Sequence, residues 1–249
     1  MRAVYLRELS SYFSSMIAYI TVGLLLAVLG LVLWVFPDFS LLQTPFASID
    51  ALFEIAPLIF IFLIPAFTMR TFAEEKQAAT LEVLLTRPIS AWHIVTGKYL
   101  ATLSWLAIAL VATLIYVYSI YQLGSPPCNI VLGQIGASYF GLFLLGAVFC
   151  AIGVFASAQT SNQIVAFVMA VFFCFLLYYG FYFISRIASF TGSLDAIIES
   201  LGIDYHYHSI SRGVIETRDL MYFICLIGLC LTWTWVTITY RAPRCSAPC

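Results

Sequence analysis

Six long apolar runs alternate with short polar segments along the 249-residue chain. Each run is about twenty residues or longer, the length that an α-helix needs to cross a bilayer. Lipid offers no hydrogen-bond partner to exposed backbone groups, so each run is expected to be a helix. The predicted spans are residues 15–36, 51–69, 99–121, 130–158, 164–184 and 220–240. The pattern therefore predicts an all-α integral membrane protein with six transmembrane helices, forming one transmembrane domain over residues 1–249.

Composition and charge support this interpretation. Hydrophobic residues make up 63% of the chain and charged residues 9%, whereas soluble domains carry roughly 45–50% and about 25%. A net charge of −1 provides no basic surface, so nucleic acid is not an expected partner. Eight of the eleven Lys and Arg residues fall on one side of the six-span arrangement, and Arg186, Arg212 and Arg218 lie on the other. Because positive loops stay in the cytoplasm, both termini are expected to be cytoplasmic and residues 185–219 extracytoplasmic.

The first thirteen residues have the pattern of an interfacial helix. Apolar side chains recur at helical spacing, at Val4, Tyr5, Leu9 and Phe13. The charged residues between them are expected to face water: Arg2, Arg7 and Glu8. Such a helix lies along the membrane surface. A plain cytoplasmic segment is the alternative.

The apolar spans offer little material for catalysis or ion transport. They contain essentially one ionisable residue, Glu54, which is expected at headgroup level rather than in a proton or cation relay. The histidines form no H-E-x-x-H pattern and no G-x-S-x-G occurs. A P-loop ending at Lys98 fails because Trp92 and Tyr99 replace the required Gly and Ser or Thr. We therefore expect a non-catalytic chain that binds no cofactor and no metal.

Residues 70–98 form a charged segment between the second and third spans. A helix over residues 71–85 would be amphipathic. One face would carry Phe72, Ala79, Val83 and Leu84, and the other Glu75, Lys76 and Glu82. Pro88 would end this helix, which would lie on the cytoplasmic face of the membrane. The alternative is a solvated loop whose charges only fix the topology.

The sequence of this segment is RTFAEEKQAATLEVLLTRPISAWHIVTGKYLA. It resembles the region after the second span of ABC-2-type permeases: an acidic pair, a Thr-Leu-Glu run, a Leu pair, a Pro, and a Gly-Lys opening the third span. The six-span layout fits as well, so the resemblance covers essentially the whole chain. Residues 202–223, GIDYHYHSISRGVIETRDLMYF, are similar to the corresponding segment of the gliding-motility-associated permease subunit and its relatives.

The resemblance implies the permease subunit of an ATP-driven exporter in the bacterial inner membrane. It implies a separate ABC ATPase dimer, which holds ATP and Mg, and a second permease copy or a similar permease. A periplasmic auxiliary subunit and membrane lipid are further expected partners. The family's coupling helix carries over to Glu74, Glu75, Thr80, Leu81, Glu82, Leu84, Leu85, Arg87 and Pro88. A secondary cytoplasmic contact with the ATPase carries over to Gln159, Thr160 and Asn162.

The 185–219 loop holds the remaining candidate residues. Ser193 is expected to cap a short helix, residues 194–201, which Gly202 would end. Asp204, His206 and His208 alternate, as metal ligands on one face of a strand would, although ordinary polar contacts are the alternative. The residues expected to form an extracytoplasmic gate or partner contact are His206, His208, Arg212 and Arg218.

Small residues recur four apart in the fourth span. They are Gly133, Ala137 and Gly141, then Ala147 and Ala151, then Gly153 and Ser157. Such rows let helices approach closely in lipid, either within the chain or at a dimer seam. A membrane scaffold without a transport cycle, or a facilitator for an uncharged substrate, would share these rows and the six spans, but neither would need the charged segment.

Overall fold

The computed structural model describes residues 2–36, 50–81, 90–123, 132–186, 199–213 and 216–241. All regular structure in these ranges is helical. Six of the helical stretches described are long and apolar enough to cross a membrane. The predicted all-α fold with six spans is therefore confirmed.

The helices are numbered here in chain order. They are α1 (Arg2–Ser14), α2 (Met16–Val35), α3 (Asp50–Thr68), α4 (Arg70–Gln77), α5 (Ala91–Leu123), α6 (Leu132–Gln159), α7 (Gln163–Phe175), α8 (Phe181–Ser185), α9 (Ile203–Ser211) and α10 (Thr217–Arg241). A π-helical segment, Leu176–Gly180, joins α7 to α8, so the three together form one helix of membrane length.

Helix α6 lies at the centre of the bundle. Its membrane-length window is 83% buried, whereas that of the helix formed by α7 and α8 is 22% buried. A Cβ on Gly153 would lie 1.9 Å from Thr68 Oγ1 of α3, and one on Gly141 would lie 2.8 Å from Ile210 Cγ2 of α9. Because real side chains do not approach so closely, these glycines let α3 and α9 pack directly on α6. The small-residue prediction is thus confirmed at both positions, whereas a Cβ on Gly133 would meet nothing within 4 Å.

The segment after the second span differs from its prediction. The helix predicted over residues 71–85 ends at Gln77, and helical residues resume at Thr80. Between them Ala79 has a φ of 55°, in the left-handed region that ends helices. The spacing of apolar residues shows which side chains can share a helix face. It does not reveal where the backbone takes a positive φ, least of all at a residue other than Gly. Residues 82–89 lie outside the described ranges.

The third spanning helix begins earlier than predicted. Helix α5 starts at Ala91, eight residues before the expected start at residue 99, and its first turn is closed by the His93 N–H, which donates to the Ser90 carbonyl at 2.9 Å. These residues pack against α1: a Cβ on Gly97 would lie 3.2 Å from Val4 Cγ1. A run of apolar residues indicates which part of a helix lies in lipid. It gives no sign of a polar first section that packs against another helix.

Candidate functional site

A buried ammonium group joins three helices at the end of the bundle that carries α4. Lys98 is 1% exposed. Its Nζ donates to Glu8 Oε1 of α1 at 2.9 Å and to the Thr71 carbonyl of α4 at 2.8 Å, and it forms an ion pair with Glu75 Oε1 at 3.0 Å. An ammonium has three N–H donors, and three oxygen atoms lie within 3.0 Å of this one. We call Glu8, Thr71, Glu75 and Lys98 the Lys98 cluster.

Two carboxylates in this cluster lie in places that the sequence did not predict. Glu8 and Glu75 were expected to face water, yet their side chains are 13% and 16% exposed and point at Lys98. The Lys98 Nζ also lies 5.1 Å from the centre of the Phe72 ring, within range of a cation–π contact. Burying a charge costs little only when it is paired and hydrogen-bonded. The ammonium of Lys98 therefore accounts for the inward position of both carboxylates.

A serine on α6 provides a second attachment of α4. The Ser157 hydroxyl accepts from the Phe72 N–H at 2.9 Å and the Ala73 N–H at 3.0 Å, and it donates to the Met69 carbonyl at 2.9 Å. It thus satisfies backbone groups that are left without helical partners where α3 gives way to α4. Lys76 Nζ also donates to the Ala158 carbonyl. Helix α4 is therefore fixed to the end of α6.

The predicted coupling residues divide between two sides of this segment. Glu74 points outward, 55% exposed, and pairs with Arg70 Nε at 3.1 Å. Thr80 is exposed and its hydroxyl donates to the Glu75 carbonyl at 3.3 Å, whereas Leu81 is buried. The other predicted coupling residues lie outside the described ranges: Glu82, Leu84, Leu85, Arg87 and Pro88. Among the residues described, Glu74 and Thr80 face out, and Glu75 and Leu81 face in.

A polar cavity of about 450 Å³ lies beside the Lys98 cluster. It is bounded by α1, the first residues of α2, and α4 with the turn that follows it. Tyr12 lines it, and burial together with the nearby Glu8 charge raises the pKa of this phenol above its usual value of 10. Tyr12 is therefore a neutral hydroxyl at physiological pH.

The predicted secondary contact forms the tight turn between α6 and α7. Asn162 caps α7, because its side chain accepts from the Ile164 N–H at 2.9 Å. The Asn162 N–H donates to the Thr160 hydroxyl at 3.1 Å, and the Gln159 amide donates to the Thr237 hydroxyl at 3.2 Å. These bonds explain the shape of the turn. A role in contacting a partner stays a prediction.

At the opposite end, residues 203–211 form helix α9 rather than the alternating strand considered from the sequence. Asp204 and His208 therefore lie one helical turn apart on the same side, with Asp204 Oδ1 3.4 Å from His208 Nε2. His206 lies on another side, so the three residues do not share one face. The alternation of Asp204, His206 and His208 suggested a strand. The signal for a helix was the helical spacing of Ile203, Tyr207 and Ile210, all of which are buried.

His206 is buried and bonded at both ring nitrogens. Its Nδ1 lies 2.7 Å from Asp219 Oδ1 of α10, and its Nε2 lies 3.0 Å from the Ser200 carbonyl. The ring stacks on Tyr222 at a centroid distance of 4.1 Å. Both ring nitrogens therefore have an oxygen partner. This ring therefore joins α9, α10 and the 199–202 turn.

The other predicted outer residues are exposed. His208 is 54% exposed in its side chain. Arg212 Nε donates to the His208 carbonyl at 3.1 Å, and Arg218 lies in the first turn of α10. Gly202 precedes α9 as its N-cap residue. The predicted cap Ser193 and most of the predicted 194–201 helix lie outside the described ranges.

Comparison with known proteins agrees with this architecture. No curated protein matches the chain. A family profile described as "ABC-2 family transporter protein" matches residues 40–239, well over half of the 249 residues. Membership implies the role of a non-catalytic transport permease that works with separate ABC ATPase subunits. With six candidate spans and this match, the chain belongs to the ABC-2 transporter family as a multi-pass membrane subunit.

Proposed function

We propose that this chain is the permease subunit of an ATP-driven exporter, and that α4 with the turn after it is the docking surface for an ABC ATPase subunit. One observation carries the proposal. Helix α4 exposes Glu74 on its outer side, while its inner side is bonded to α5 and α1 through the Lys98 cluster and to α6 through Ser157. A surface helix needs both properties to transmit a partner's movement into a membrane bundle.

The bonds of α4 define the path of that movement. Charged groups on the outer side, such as Glu74, fix the register of a docked partner. A displacement of α4 then acts on Lys98 of α5, on Glu8 of α1 and on Ser157 of α6. Closure of an ATPase pair would in this way shift three helices together and open a path between two permease subunits.

The orientation follows from the same proposal. The end that carries α4 is placed in the cytoplasm, as the excess of Lys and Arg in its loops favours. The 159–162 turn lies at this end, since Lys76 reaches the Ala158 carbonyl beside it, and is a second contact for the ATPase. Helix α9 then faces outward, where His208, Arg212 and Arg218 are exposed to an auxiliary subunit. The similarity of residues 202–223 supports a relationship to the gliding-motility-associated permeases.

The test is a tagged purification from the native host in mild detergent, with quantification of the ABC ATPase that is recovered. Glu74→Lys reverses an exposed charge on the docking surface and leaves the Lys98 cluster intact. We expect recovery of the ATPase to fall about tenfold, because a like-charge contact replaces a complementary one.

Arg212→Glu is the matched control, because it reverses an exposed charge at the opposite end of the bundle. The ATPase should be recovered with it as with the wild type. Equal recovery with Glu74→Lys would place the docking surface elsewhere. Recovery of no ATPase with the wild type, under conditions that preserve other membrane complexes, would favour a scaffold without a transport cycle.

A further inference from the structure

The described lining of the polar cavity beside the Lys98 cluster balances three cations against three carboxylates, yet it leaves one buried carboxylate oxygen without a donor. Within the cluster one ammonium faces two carboxylates, Glu8 and Glu75. Glu75 Oε1 is paired with Lys98, but Glu75 Oε2 is buried and has no hydrogen-bond partner within the described ranges. A buried carboxylate oxygen without a donor is costly. This side of the cavity therefore fits a cation that carries N–H donors.

A second buried oxygen lies in the same cavity. The Tyr12 hydroxyl lines it, and although the Thr71 hydroxyl is near enough to act on it, this hydroxyl has no hydrogen-bond partner of normal geometry among the residues described. It lies close enough to Glu8 and Glu75 for both charges to act on it. A primary ammonium has three N–H donors, which is enough for both Glu75 Oε2 and the Tyr12 oxygen.

The cavity also holds a positive group that can bind an anion. Arg7 lines it, is exposed, and forms no ion pair within the described ranges. A guanidinium binds phosphate through two parallel N–H···O bonds. The cavity therefore presents a site for a cation and a site for an anion, which is the chemistry of a zwitterion.

The position of the cavity indicates the source of such a zwitterion. Its lining includes Ser15, the residue between α1 and the spanning helix α2, and also Ile17 and Ala18 in the first turn of α2. The start of a spanning helix after an amphipathic segment lies at the depth of lipid headgroups. The volume of about 450 Å³ falls within the range of about 300–1,000 Å³ common for small-ligand sites.

We propose that this cavity binds a phosphoethanolamine group, with its ammonium on Glu75 Oε2 and the Tyr12 hydroxyl and its phosphate on Arg7. A zwitterionic phospholipid supplies this group at the membrane surface. A trimethylammonium headgroup has no N–H to donate to the two buried oxygens, and a glycerol headgroup carries no cation. The site therefore discriminates between phospholipids by their headgroups.

The first experiment measures binding to the purified full-length permease in detergent. The probes are dihexanoyl phosphatidylethanolamine, the phosphatidylcholine and phosphatidylglycerol of the same chain length, and free phosphoethanolamine. We expect the dissociation constant of the ethanolamine lipid to be at least about fivefold lower than those of the other two lipids. Equal affinity for all three lipids would overturn the proposal. Free phosphoethanolamine binding as tightly as the lipid would assign the same site to a soluble ligand, whereas weaker binding assigns it to the lipid.

Two variants test the assigned contacts without disturbing Lys98. Tyr12→Phe removes a hydroxyl that has no hydrogen-bond partner of normal geometry in the described structure, and Arg7→Gln removes the charge of an exposed side chain. Each is expected to weaken binding of the ethanolamine lipid at least about fivefold while the protein stays folded. Arg2→Gln is the control, because Arg2 is exposed on the same helix but lines a different, apolar groove with Leu100 and Phe143. Unchanged affinity in both Tyr12→Phe and Arg7→Gln would disprove the site, and since no ATPase is present, this result is independent of the proposed coupling.

Discussion

The two ends of the bundle are each held by a buried polar cluster, but the clusters join different kinds of neighbours. Lys98 and Glu8 are 90 positions apart in the chain, and their cluster connects α1, α4 and α5. His206 and Asp219 are 13 positions apart and connect α9 to the helix that follows it. The Lys98 cluster ties together distant segments, whereas the His206–Asp219 contact, within the cap formed by α9 and the start of α10, closes within one stretch of chain.

This difference separates two mechanical roles. At the α4 end, no helix of the cluster can move without displacing the carboxylates and ammonium of the others. At the opposite end, α9 and the start of α10 hold each other and also meet the rest of the bundle, for example through the Tyr207 hydroxyl, which donates to the Phe53 carbonyl at 2.7 Å. The first arrangement suits transmission of movement, whereas the second fixes α9 both to α10 and to the rest of the bundle.

The largest effect is expected from breaking the long-range cluster. Lys98→Met leaves Glu8 and Glu75 buried without their cation. Loss of one partner of a buried ion pair costs about 3–5 kcal/mol, so the thermal unfolding midpoint in detergent should fall strongly, and α1 should become accessible to protease.

Arg70→Gln is the control for this variant, because it removes an ion pair on the surface of α4, where the two side chains are 32% and 55% exposed. Such pairs contribute less than about 1 kcal/mol. A Lys98→Met protein as stable as Arg70→Gln would show that the cluster does not hold α1 and α4 in place.

A smaller but still clear effect is expected at the cap. His206→Ala leaves the Asp219 carboxylate buried without a partner at Oδ1 and removes the ring stacked on Tyr222. A loss of about 3 kcal/mol is expected, the upper end for leaving one buried polar atom without its hydrogen-bond partner. The thermal unfolding midpoint measures the size of this loss of stability. Hydrogen exchange over residues 199–222 shows whether the loss is confined to the cap.

His208→Ala is the matched change on the same helix. Its side chain is 54% exposed, and its Nε2 lies 3.4 Å from Asp204 Oδ1. We therefore expect the free energy of unfolding to fall by less than about 1 kcal/mol. If both histidine variants loosened the whole bundle rather than the cap, the distinction between the two ends would be wrong.

The smallest of the three effects is expected in α6, which passes between the two ends. Gly153→Ala places a methyl group 1.9 Å from Thr68 Oγ1, so α3 and α6 must separate. Overpacking of this kind costs about 1–3 kcal/mol, which the shift in unfolding midpoint measures. Gly133→Ala on the same helix has open space around the new methyl group and should be neutral or slightly stabilising. Equal effects at both positions would contradict the close contact of α3 with α6.

The sequence predicted the parts of this structure that depend on local pattern. Six spans followed from run length, and the close packing at Gly153 followed from small-residue spacing. The Lys98 cluster could not be predicted, because Glu8 and Glu75 look like solvent-facing charges until a distant ammonium is placed between them. Its one signal was Lys98 itself, a charge directly before an apolar run with a glycine at its side. His206 was singled out, but its helix and its partner Asp219 require the folded arrangement.

The spacing of the Lys98 cluster along the chain also sets the order in which the protein can be assembled during synthesis. Both carboxylates, Glu8 and Glu75, leave the ribosome before Lys98 does. Until the third spanning helix is made, α1 lacks the ammonium that holds it in the folded protein, and its carboxylate stays in water. The Lys98 cluster therefore cannot form before the start of α5 has been synthesised, so docking of α1 through it is a late step in assembly.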